Sequence, residues 1–163
     1  MDIVEILIGV TEIAVALAGF TGVVVAFGSR SKGAWHPGDR LRLTFLLEAS
    51  LTAAGFALLG VLLISLGVTT TYGWSICGIT WSLYMMFSLV RSRRSIKDND
   101  VTHGDVDRIA NTITVSLFLI MITVQIFNAL LWQQFAPFLA ALLLNLVGAA
   151  MQFTRLIRSA FQT

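Results

Sequence analysis

Two glutamates stand inside apolar runs long enough to cross a membrane: Glu12 within 3–27 and Glu48 within 41–66. A carboxyl in hydrocarbon costs on the order of a few kcal/mol unless it is paired or wet, so such residues mark proton and cation paths. At helical rise, Glu12 lies about 13 Å into its run and Glu48 about 10 Å into one that runs the other way. The two carboxyls then sit in the middle third of the membrane, about 6 to 8 Å apart along its normal. Glu5 is near enough to the outer surface to stay hydrated. Gln125 and Asn128 in the run 109–131, and Asn145 in 137–157, fall at overlapping depths, about 6 to 12 Å inside the outer ends. The five side chains have the chemistry of a polar layer that binds or passes a proton or a small cation. The alternative is structural. The amides would then hydrogen-bond across helices, for under about 2 kcal/mol each, and the glutamates would sit protonated, donating to a carbonyl or amide.

The glutamates also share a pattern, because Glu12 is followed by Ala18-Gly19-Phe20 and Glu48 by Ala54-Gly55-Phe56 at the same spacing. Residues seven apart lie on one helical face, so each Glu shares a stripe with a Gly two turns deeper. In an antiparallel pair each Glu would come level with the other helix's glycine, as in a small inverted repeat. Ala14, Ala18, Gly22 and Ala26 form a further ladder at four-residue spacing. Small residues so spaced let membrane helices approach closely, and Ala14, Ala18, Gly19, Gly22, Ala26 and Gly55 are the expected packing positions. Whether they pack within the chain or against a second copy stays open.

These side chains need a scaffold, and composition indicates which one. Of 163 residues, 56% are hydrophobic and 12% charged, against roughly a quarter charged in a soluble domain. Five segments approach the ~20 residues a spanning helix needs: 3–27, 41–66, 73–90, 109–131 and 137–157. The expected fold is all-α, a single transmembrane domain of about five helices with loops at 28–40 and 91–108. Arg30, Lys32, Arg40, Arg42, Arg91, Arg93, Arg94, Lys97, Arg108, Arg155 and Arg158 account for all eleven basic residues and fall on one side of such a bundle. Lysine and arginine are retained in the cytoplasm, so the N-terminus is expected outside and the C-terminus inside. Tyr72, Trp74 and Trp132 would then sit at the outer interface and Trp35 near the inner one. Ala16-Leu17-Ala18 imitates a signal cleavage site, but Asp2 and Glu5 replace the basic start such a signal requires, which points to a retained helix.

Other chemistry finds little support. No His-Glu-x-x-His zinc helix, Gly-x-Ser-x-Gly turn or phosphate-binding Gly-Lys-Ser/Thr loop occurs, and His36 and His103 fall in polar links, so no enzyme is expected and no catalytic residue is assigned. The stretch from Asp98 glances at a calcium loop, but its sixth residue is His103 and its twelfth Ile109, where an EF-hand needs Gly and Glu. A solvated loop with Asp105 or Asp107 capping the fourth helix is expected instead, and neither a metal nor a cofactor. The single cysteine, Cys77, rules out an internal disulfide and reads as a buried thiol. The basic residues lie beside membrane segments rather than in a stripe of their own, which argues against nucleic acid.

The run Ala18-Gly19-Phe20-Thr21-Gly22, followed by Trp35 and Asp39-Arg40-Leu41-Arg42, resembles small uncharacterised bacterial multi-pass inner-membrane proteins over the first third of the chain. The resemblance implies a bacterial inner membrane and no site residue. Two functions remain. In one, copies assemble in the bilayer and the glutamate layer carries a proton or small cation. In the other, the chain is an anchor or subunit whose Arg91, Arg93, Arg94 and Lys97 meet a cytoplasmic protein or anionic lipid.

Overall fold

The computed structural model describes residues 2–32, 37–68, 70–98 and 108–161, all helical apart from short turns, with no strand among them. The helices are α1 (Ile3–Lys32), α2 (Pro37–Ser65), α3 (Thr70–Asp98), α4 (Arg108–Phe127) and α5 (Phe135–Phe161), and a π-helical turn, Asn128–Trp132, extends α4. Each helix is long and apolar enough to cross a membrane. In hydrocarbon every backbone group needs an internal partner, which a helix supplies. Large apolar side chains such as Ile13, Phe20, Leu51, Leu62, Phe87 and Leu130 face outward. The chain is a multi-pass membrane protein.

Sequence-local devices set the helix ends. At the start of α1 the Asp2 carboxylate accepts from the Val4 N–H and Glu5 reaches back to the Asp2 N–H, a reciprocal cap. Pro37 opens α2, where a missing N–H costs nothing, and Asp39 in that first turn pairs with Arg42 at 3.0 Å. The end of α2 is closed by Gly67 at φ +70°, with Val68 N–H bonded to Leu63 O and Gly67 N–H to Ile64 O. This is the Schellman arrangement, for which a glycine is preferred.

Four of the spans overrun the limits expected from hydropathy, α5 by reaching Phe161. Helix α1 continues to Lys32, α2 begins at Pro37, and α3 continues through Arg91, Arg93 and Arg94 to Asp98, so much of 28–40 and 91–98 is helix rather than loop. Arginine and lysine near a helix C-terminus favour continuation, because they oppose the helix dipole after the chain leaves the hydrocarbon. The expected positions of Trp35, His36 and His103, and the Asp105 or Asp107 cap, lie outside the described residues.

Hydroxyls along the spans bond the carbonyl one turn back, as Thr11 does to Leu7, Thr21 to Leu17, Ser82 to Gly78 and Thr123 to Leu119. This satisfies the hydroxyl without a neighbouring helix.

The chain divides into two compact units, one comprising residues Met1–Leu58 with Leu143–Thr163 and the other Leu59–Leu142. In the first, the buried positions of α1 are Leu7, Val10, Ala14 and Thr21, those of α2 include Leu46, Ser50, Ala53 and Ala57, and those of α5 include Asn145, Leu146, Ala149 and Leu156. Phe20 and Phe153 meet with ring centroids 6.4 Å apart. In the second unit, Trp74 is held by Phe135 at 5.0 Å and Phe138 at 5.8 Å. Cys77 and Trp81 of α3 are fully buried there.

Candidate functional site

The five polar side chains singled out by depth separate between the units. Gln125 and Asn128 belong to Leu59–Leu142; Glu12, Glu48 and Asn145 belong to the other unit.

Gln125 and Asn128 are fully buried and hold the α4–α5 hairpin closed. The Asn128 amide donates to Gln134 O at 3.0 Å and its carbonyl oxygen accepts from Gln134 N–H at 3.0 Å. Gln133 adopts a left-handed conformation at φ 55°, and its N–H bonds Asn128 O at 2.6 Å. A π-turn displaces carbonyls from the usual ladder, and Ala129 O accepts from Ser75 Oγ at 2.8 Å. Gln125 Nε2 donates to Pro137 O across the hairpin. A Cβ on Gly78 would stand 3.1 Å from Gln125 Oε1 and 3.3 Å from Gln125 O. The absent side chain of Gly78 thus leaves room for Gln125 Oε1, which has no hydrogen-bond partner, and small residues of this kind let membrane helices approach closely. Hydropathy and depth could not reveal these partners, because they are backbone groups of the link and of the first turn of α5, together with one glycine and one serine of α3.

The glutamates differ from each other. Glu48 is half-buried and engaged by a neighbour within the chain. Glu12 is exposed, about 13 Å into the span Ile3–Val23, and makes no hydrogen bond or ion pair among the described residues. Asn145 is fully buried, and neither its oxygen nor its nitrogen has a partner. Ser50, two residues beyond Glu48, is fully buried and its hydroxyl is likewise unpartnered, unlike the back-bonded hydroxyls. Leaving a buried polar group unsatisfied costs about 1–3 kcal/mol, so two such groups in one compact unit are an anomaly the packing alone does not explain. Depth could not have indicated Ser50, since a serine in a span ordinarily bonds its own helix.

The glycine stripes do not form the expected internal pairing. A Cβ built on Gly19, Gly22 or Gly55 meets nothing within 4 Å, so neither Gly19 nor Gly55 receives a carboxyl from the other helix. The four-residue ladder is also divided: Ala14 is fully buried, Ala18 half-buried and Gly22 exposed, while the Ala26 side chain lies outside the described residues. A spacing of four drifts around a helix of 3.6 residues per turn, which takes Gly22 out of the contact Ala14 makes. On α3, Arg91, Arg93 and Arg94 are exposed, and the Lys97 side chain lies outside the described residues.

No protein-family model matches the chain, and no curated protein or solved structure matches it. Any functional reading therefore rests on the site itself.

Proposed function

We propose that the chain is an oligomeric protein of the bacterial inner membrane, with its N-terminus outside, that binds or passes a proton or small cation at Glu12, Glu48 and Asn145. The observation that carries this reading is Glu12, a mid-span carboxyl on an exposed helix face with no partner among the described residues. Lipid alone is a poor surrounding for it. Asn145 adds an unpartnered amide in the same unit. Alternately directed spans make α1 and α5 run the same way. Glu12 and Asn145 each stand eight residues before the rings of Phe20 and Phe153 that meet, which supports a common depth for the carboxyl and the amide. Carboxylates and amide oxygens attract cations, and a wet path beside them removes the cost of burial. Gln125 and Asn128 contribute to this reading only indirectly, by holding the α4–α5 hairpin.

The test is proton and cation flux into liposomes carrying purified protein, comparing wild type with Glu12→Gln and Glu48→Gln. Flux that both substitutions abolish while the protein stays folded is the expected result. No flux in wild type, or unchanged flux in both variants, refutes transport by these carboxyls.

A second reading is favoured by the basic end of α3. Arg91, Arg93 and Arg94 are exposed on a helix that continues beyond them to Asp98, a surface suited to an acidic cytoplasmic protein or anionic lipid. Replacing the three arginines by glutamine, with insertion verified first, should abolish capture of such a partner; retained capture rejects this surface.

A further inference from the structure

Helix α1 has two unlike faces. Leu7, Val10, Ala14 and Thr21 are buried. Glu5, Ile8, Glu12, Val15, Gly19 and Gly22 are all exposed, and they follow one another at alternating spacings of three and four. That alternation keeps them on one stripe of the helix, at the spacing of the seam between two parallel helices. Helix α1 is also the least covered of the five, with 17% of its span buried against 39% for α3. At the centre of the seam is Glu12, and about two and three turns further on Gly19 and Gly22 have open space where a Cβ would be.

We infer that this seam is where a second copy of the chain docks, α1 against α1 in parallel, with Glu12 facing the partner's Glu12. The inference rests on the reading of Glu12 as membrane-embedded. Polar complementarity selects the occupant. A carboxyl at this depth needs a surface that brings a hydrogen-bonding group to the same level, which lipid does not. Identical chains insert with one orientation, so a two-fold axis along the membrane normal places every seam residue opposite its own counterpart. A carboxylic acid group is self-complementary in that position, because it carries one O–H donor and an acceptor oxygen. Gly19 and Gly22 then serve as small residues that let the two backbones approach. The equivalent stripe on α2 is a weaker candidate, since its Glu48 is already engaged within the chain.

The experiment is a disulfide scan in membranes. In a Cys77→Ala background, single cysteines replace Ile8, Val15 and Gly22 on the seam, and Leu7, Val10 and Ala14 on the buried face. Mild oxidation should give a band of twice the monomer mass for the first three and none for the others. In a second arm, Gly19→Leu added to Val15→Cys should eliminate the band, whereas Glu12→Gln should keep it, because an amide can also donate and accept. Absent bands, bands of equal strength on both faces, or adducts of another mass overturn the seam as a contact between copies. The scan is independent of transport: bands on the seam without flux leave the dimer standing and remove the transport reading, and flux without bands does the reverse.

Discussion

Asn128→Ala separates a structural role from a place in the conducting layer. The wild-type side chain makes two bonds to the backbone of Gln134, each 3.0 Å long, and is itself fully buried. Each such bond contributes about 0.5–1.5 kcal/mol net, and a polar group left unsatisfied costs about 1–3 kcal/mol. Gln134 is exposed at the hairpin, so water can replace part of what its N–H and carbonyl lose, which puts the expected destabilisation at about 1–3 kcal/mol. Asn128→Asp retains the acceptor for the Gln134 N–H but sets an oxygen against the Gln134 carbonyl, and it should cost at least as much. Reversible unfolding in mixed detergent micelles, followed by the fluorescence of Trp74 and Trp132, measures both variants. Flux per folded molecule should match wild type. A variant within about 0.5 kcal/mol of wild type that has nevertheless lost flux would refute the assignment of Asn128 to the hairpin and return it to the polar layer.

Two further outcomes follow from the same contacts. Gly78→Val should destabilise by about 1–3 kcal/mol, because even its Cβ would stand 3.3 Å from the Gln125 carbonyl oxygen and 3.7 Å from Ala129 Cβ; the same unfolding assay detects it, and an unaffected variant would show that α3 and α4 are not in close contact there. Asn145→Leu removes both unpartnered amide atoms and should leave stability unchanged or raised by about 1 kcal/mol while abolishing flux, since replacing an unsatisfied polar group by an apolar one of similar size can stabilise. A loss of stability would show that Asn145 serves packing.

The sequence made the spans legible and their partners much less so. The five apolar runs and the helical class follow from length and hydropathy, since the membrane leaves few alternatives to a helix. The Schellman close at Gly67 was also within reach, as a glycine directly after an apolar run signals it. The extension of α1 to Lys32 and α3 to Asp98 was not, because hydropathy measures where hydrocarbon ends and helices continue past it. Depth placed Gln125, Asn128 and Asn145 in one layer, yet it carries no information about azimuth or hydrogen-bond partners. The first two turned out to bond the backbone at Pro137 and Gln134, and the third to bond nothing among the described residues. The repeated Glu-x5-Ala-Gly-Phe sets each Glu and Gly seven residues apart, on one stripe of a helix. What it could not convey is that Gly19 and Gly55 lie on faces the described residues leave uncovered.

The α4–α5 hairpin has a consequence for how the chain enters the membrane. Asn128 bonds a residue six positions away and Gln125 one twelve positions away, so both contacts are available once the chain has been synthesised through the short link and as far as Pro137. Closing so small a loop loses little chain entropy and takes far less than a microsecond, whereas a bacterial or eukaryotic ribosome adds only about 5–20 residues per second. Helices α4 and α5 can therefore leave the insertion machinery as a preassembled pair, with the Asn128 amide and the Gln125 Nε2 already bonded before they meet lipid.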